Sequence, residues 1–213
     1  MTTLAHRERL ALADLLETVG PDEPTLCEGW DTRDLAAHLV ARERRLDALP
    51  GVALPPLAWR TEQVRRSFAR RPYADLVHLV RTGPGHVSFF AVPGFDRLFN
   101  ATEHVVHHED VRRAQPGWEP RDLPLRTQDS LWKAVTSRAG LSFRGVDAAV
   151  VLRRTDRTDA EPSRHSSGDH EVVIAGEPME LLLYAFGRRD HARVAVSGDA
   201  EGIAALAAGS IAA

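Results

Sequence analysis

The sequence predicts a mainly α protein, with a four-helix bundle over residues 1–120 and a small α+β unit over residues 121–213. Three observations predict it. In the first half, apolar residues recur at helical spacing and are punctuated by proline and glycine. In the second half, three short runs rich in valine and alanine alternate with helical and polar stretches. The length of 213 residues exceeds the roughly 150 expected of one domain and suits two modest cores.

Each element follows from local chemistry. Residues 3–19 place Leu4, Leu12, Leu15, Leu16 and Val19 at helical spacing, and Gly20-Pro21 stops them. After a loop from Pro21 to Gly29, Asp31 or Thr32 caps a second helix running to about Leu49, with Leu35, Leu39 and Leu46 on one side. Pro50-Gly51 ends it, and Pro55-Pro56 marks a linker. A third helical region spans about 58–81 with a break near Pro72. A fourth helix runs from near Gly94 to about Ala114, with Phe95, Leu98, Phe99, Thr102, Val105 and Val106 as its apolar face. The second half opens with a helix at about 125–139. Strands are expected at 146–152, 171–175 and 192–196, a polar loop at 155–170, and short helices at 178–186 and 200–208.

Composition removes several function classes. Hydrophobic residues at 43% and charged residues at 27% are those of a folded domain, not a disordered chain. A net charge of −3 argues against a nucleic-acid binder that relies on bulk charge. Cys27 is the one cysteine, so no internal disulfide forms and a reducing, cytoplasmic compartment is expected. The charged N-terminus does not read as a signal peptide, and no run approaches 18 apolar residues, so no membrane partner is expected. Basic charge is nearly all arginine, with Lys133 the single lysine, which points to a GC-rich genome.

The chemistry concentrates in the fourth helix. Glu103 and His107 are four residues apart and share a face, with Asp110 three further along the same stripe. His104 and His108 form a second such pair, rotated by about 100° and expected nearer the bundle edge. Glu103 and His107 adjoin Phe99 and Val106, so they are expected to point inward, where a carboxylate and an imidazole can reach one divalent metal. A third ligand must come from another helix. His38, between Leu35 and Leu39 on the apolar side of the second helix, is the candidate, although a hydrogen-bonded core histidine is the plain alternative. Two imidazoles and one carboxylate leave coordination positions open, as catalytic sites require. The set suits zinc, with iron or nickel as alternatives.

The segment Gly29-Trp30-Asp31-Thr32-Arg33-Asp34-Leu35-Ala36-Ala37-His38-Leu39 resembles the W-x-x-x-D-L-x-x-H-L signature of the mycothiol-dependent maleylpyruvate isomerase N-terminal domain, one of the DinB-like metal-binding four-helix bundles. Glu103-x-x-x-His107-His108-x-Asp110 resembles the second motif of that family, and residues 176–206 resemble its small sterol-carrier-protein-like C-terminal unit. Within the family, the nearest likeness is to an actinobacterial metal-binding branch. The resemblance implies metal ligands at His38, Glu103 and His107. It also implies a small thiol, mycothiol, that adds to a cis double bond so that rotation and elimination give the trans product.

The remaining candidates carry two readings each. Asp34 and Asp110 are expected either to orient the ligand histidines or to act as plain helix charges. His108 is the candidate acid or base beside the metal. Cys27 reads as a half-buried small residue or as a thiol near the metal, and Trp30 as a packing anchor or a pocket wall. The function expected is a metal- and thiol-dependent isomerase or S-transferase acting on a small electrophile, with no nucleic-acid partner. The alternative is a non-catalytic metal- and ligand-binding module, a sensor or carrier. The sequence leaves the oligomeric state open, a homodimer included.

Overall fold

A computed structural model describes residues 3–45, 58–84 and 97–211. Among these residues the protein is mainly helical, with eight α-helices and one four-stranded sheet. The chain forms two compact units, Met1–Glu119 and Pro120–Ala213.

The first unit contains α1 (Leu4–Val19), α2 (Thr32–Arg44), α3 (Ala58–Ala69), α4 (Tyr73–Thr82) and α5 (Arg97–Arg112). Local chemistry sets the ends. The Thr3 side chain caps α1 by accepting from the His6 N–H, and Asp31 caps α2 by accepting from the Asp34 N–H at 2.8 Å. Gly20 closes α1 at φ 91°, a conformation that favours glycine. Pro72 separates α3 from α4, because a helix interior tolerates neither its ring nor its missing N–H. The expected third region is thus two helices. The expected end of α2 near Leu49, the Pro55-Pro56 linker and the start of α5 near Gly94 lie outside the described residues.

Packing gathers Leu12, Leu16, Leu35, Leu39, Val64, Leu76, Val80 and Val111 into one apolar core. Helix α5 lies along α1, and α2 lies along α3 and α4. Burying these leucines and valines at about 1.5–3 kcal/mol each is the main term holding the helices together. This arrangement leaves α5 covered on more than one side, which matters for its histidines.

The second unit contains α6 (Leu125–Ser142), β1 (Ala149–Arg154), β2 (Ser163–Arg164), β3 (Glu171–Gly176), α7 (Pro178–Ala185), a 3₁₀ turn (Arg189–His191), β4 (Ala195–Gly198) and α8 (Ala200–Ala208). Strand order is β2-β1-β3-β4, with β1 and β3 parallel and both outer pairings antiparallel. Consecutive residues Ala149 to Leu152 are all buried, so both faces of β1 are covered. The first strand begins at Ala149, not residue 146, because the Val146 N–H is committed to the end of α6 through Phe143 O. The third expected strand shifts to Ala195–Gly198 because the 3₁₀ turn takes the residues before it. Part of the expected loop at 155–170 forms β2, which pairs with the edge of β1 through Val151–Arg164 and Leu152–Ser163.

Candidate metal centre

Helix periodicity divides α5 into two polar stripes with different surroundings. One carries Glu103, His107 and Asp110, and the other His104 and His108.

The first stripe faces α2 and the loop before it. A ring nitrogen of His38, a carboxylate oxygen of Glu103 and a ring nitrogen of His107 all lie within 4.8 Å of one another. His107 Nε2 is 3.1 Å from Glu103 Oε2, and the His38 and His107 rings meet edge to face with centroids 5.3 Å apart. On its other side, His107 Nδ1 is 2.9 Å from Asp110 Oδ2. Asp110 is fully buried, and its carbonyl accepts from the Leu26 N–H, which ties the loop to the end of α5.

That loop is shaped by a turn. The Trp30 N–H donates to Cys27 O at 3.0 Å, with Gly29 between them at φ 73°. A positive φ at the third position of a turn favours glycine. The turn sets the Trp30 ring against His38 at 5.0 Å, with the Arg65 guanidinium over the same indole at 5.1 Å. It also sets Cys27 Sγ 3.2 Å from Asp110 Oδ2.

Charge in this centre is strongly organised. Burial lowers His38 to about 4, with the neighbouring His107 charge acting in the same direction, so its ring is neutral and ready to donate a lone pair. Burial works against ionising Glu103, but the hydrogen bond from His107 and the nearby positive charges outweigh it and hold the carboxyl well below its usual range. Burial also disfavours a charged His107, yet the contacts with Asp110, Cys27 and Glu103 prevail and push its pKa well above the usual value. Arg42, one turn after His38 on α2, places Nε 3.7 Å from Glu103 Oε1.

Two imidazoles and a carboxylate, converging at these distances, match the donor chemistry of a divalent transition metal. The Asp110–His107 contact has the form of the carboxylate–histidine pairing that orients metal-binding rings: with the proton at Nδ1, Nε2 is left directed at the other donors.

The second stripe corrects the expectation for His104 and His108. Neither lies at a bundle edge. His104 is fully buried with Nε2 3.3 Å from Glu43 Oε1 on α2, and His108 is buried with Nδ1 2.9 Å from Glu8 Oε2 on α1. His108, the candidate acid or base, thus engages a carboxylate of α1 on the other stripe. Asp34 lies in the first turn of α2, where its reading as a helix charge puts it. It pairs with Arg65 of α3, which lies across from it, and no contact of its side chain with His38 is observed. Sequence reasoning missed Arg42 and Arg65. The i+4 spacing from His38 could have flagged Arg42, whereas nothing in the sequence links Arg65 to Trp30.

Residues 3–88 match the family model of the mycothiol maleylpyruvate isomerase N-terminal domain. That segment includes α1 to α4 with His38 and ends before α5. Two solved structures resemble the chain over nearly its whole length: the crystal structure of the mycothiol-dependent maleylpyruvate isomerase, at TM-score 0.59, and that of a histidine-to-alanine mutant, at 0.60. Each is 17% identical, and each comparison covers 92% of this chain and 96% of that chain. The likeness shows a shared fold. No curated protein sequence matches the chain significantly.

Proposed function

Because the helical unit of this chain belongs to the family of the mycothiol maleylpyruvate isomerase N-terminal domain, we propose that the protein is a divalent-metal, thiol-dependent enzyme. It carries out isomerase or S-transferase chemistry on a small electrophile. The observation that supports the reading most is the convergence of His38, Glu103 and His107 from two helices, with Asp110 behind the shared ring. In this reading the helical unit is a DinB-like four-helix bundle in which α3 and α4 together fill one helix position. The second unit is a sterol-carrier-protein-like domain, zinc is the metal and mycothiol is the candidate thiol.

Each side chain has a distinct task. A zinc ion held by His38, Glu103 and His107 would supply a Lewis acid able to lower the pKa of a coordinating thiol. His38 stays neutral to about pH 4 and so offers its ring nitrogen across the physiological range. Glu103 stays ionised, and its second oxygen is steadied by Arg42. Asp110 fixes the His107 tautomer. Trp30, with Arg65 over its indole, packs against the His38 ring and holds it in place. Arg42 adds a positive charge beside the centre and favours an anionic thiolate or a substrate carboxylate.

The test is turnover. Zinc-loaded protein is mixed with a low-molecular-weight thiol and a cis-configured unsaturated dicarbonyl acid, and the trans isomer or the thioether is followed. Product that depends on both metal and thiol supports the proposal. Tight binding of both partners with no product would mean that the protein is a binding module.

A further inference from the structure

His107 presents its two ring nitrogens to two different donor groups. Nε2 belongs to the centre described above, whereas Nδ1 faces Asp110 and Cys27. Cys27 Sγ, His107 Nδ1 and Asp110 Oδ2 lie within 4.8 Å of one another. The three edges of that triangle are 3.2 Å from sulfur to oxygen, 3.9 Å from sulfur to nitrogen and 2.9 Å from nitrogen to oxygen. A tetrahedral zinc with ordinary bond lengths sets its ligand atoms about 3.3–3.6 Å apart. Seating an ion therefore needs movements of only a few tenths of an ångström. Two of the three donors, His107 and Asp110, are more than nine-tenths buried, and Cys27 is partly exposed, which gives an ion a way in.

We propose that Cys27, His107 Nδ1 and Asp110 form a second metal site, selective for thiophilic divalent cations such as cadmium or zinc, that competes with the first centre for the His107 ring. The donor set differs in kind from the first. A thiolate sulfur replaces one imidazole, which shifts preference toward softer ions. Binding sends the Sγ proton to solvent and takes up the Nδ1 lone pair, so the neutral ring carries its single proton at Nε2. That is the opposite tautomer from the one the first centre needs, so a cation at Cys27 withdraws His107 from the first centre. A thiophilic ion thereby weakens the first centre without touching His38 or Glu103.

The experiment is a cadmium titration of the full-length protein, followed by the ultraviolet sulfur-to-cadmium charge-transfer band. The wild type is expected to show a band that saturates at one thiolate-bound ion per chain. His38→Ala, which removes a ligand of the first centre only, should keep the band. Cys27→Ser should lose it, and Asp110→Ala should weaken cadmium binding at least about tenfold. Absence of the band in the wild type overturns the proposal. So does its loss in His38→Ala, which would make the thiol part of a single centre, and so does unchanged affinity in Asp110→Ala, which would mean that the thiol binds cadmium alone. Zinc retention by Cys27→Ser reports on the first centre independently, so failure of one site is not mistaken for failure of the other.

Discussion

Replacing Glu43 by Gln removes the charge that holds Arg9 and His104 inside the helical unit. The Glu43 carboxylate receives both arms of the Arg9 guanidinium, at 2.5 and 2.7 Å, and His104 Nε2 lies 3.3 Å away. Burial alone would raise this carboxyl, but the His104 and Arg9 contacts outweigh burial and bring it from 4.5 to about 2. At about 1.36 kcal/mol per pH unit, that depression corresponds to about 3 kcal/mol of stability. A depressed carboxyl stabilises the fold above its unfolded-state pKa, and the contribution fades as pH falls from 4.5 toward 2. Breaking one side of a buried ion pair costs a similar amount, about 3–5 kcal/mol. Urea unfolding monitored by circular dichroism should therefore show Glu43→Gln destabilised by about 3 kcal/mol at pH 7 and by about half of that at pH 3. Zinc stoichiometry should be unaffected, because Glu43 contacts His104 and Arg9 and is not one of the grouped donors His38, Glu103 and His107. A loss below about 1 kcal/mol at pH 7, or an equal loss at both pH values, would refute the reasoning.

Three further outcomes follow from the same coordinates. Asp110→Asn removes the anionic acceptor from His107 Nδ1 and should weaken zinc binding by about 10- to 100-fold in a chelator competition, and an unchanged constant would mean that the contact does not support the ring. Zinc binding to Cys27→Ser at pH 7 should release about one proton, from His107 with its raised pKa and none from neutral His38. Affinity should thus climb with pH until His107 is neutral in the free protein, and calorimetry in buffers of different ionisation heat reads the proton directly. Gly198→Ala should cost at least about 2 kcal/mol in a thermal melt, because φ is 135° there and an added Cβ would meet the Glu171 carbonyl oxygen. A melt unchanged from wild type would show that β4 is not held in the register described.

Much of the helical unit was legible because its signals are local. Asp31 before a leucine-spaced stretch, Pro72 inside a helical pattern and Gly20-Pro21 after one each act on their own neighbours, and each marks the boundary found. The grouping of His38, Glu103 and His107 was legible for a related reason: i,i+4 spacing fixes two donors on one face, and the apolar neighbours of His38 point it inward. The fate of His104 and His108 was not legible. Their surroundings depend on α1 and α2 covering a second side of α5, and no periodicity within α5 reports that. The acids that meet them, Glu43 and Glu8, are far away in sequence. The ion pair of Asp34 was not legible for the same reason, since its partner Arg65 arrives from α3. In the second unit, the strands at 146–152 and 192–196 were displaced because a helix end and a 3₁₀ turn claimed backbone groups that composition alone assigns to a strand.

The central claim is that His38, Glu103 and His107 hold one divalent ion between α2 and α5. Elemental analysis of gently purified Cys27→Ser protein, with and without the added substitution His38→Ala, tests it most directly, since the cysteine change removes the competing thiol. The account predicts close to one zinc per chain in the first protein and almost none in the second, at equal helical content by circular dichroism. Full zinc content after the loss of His38 would contradict it.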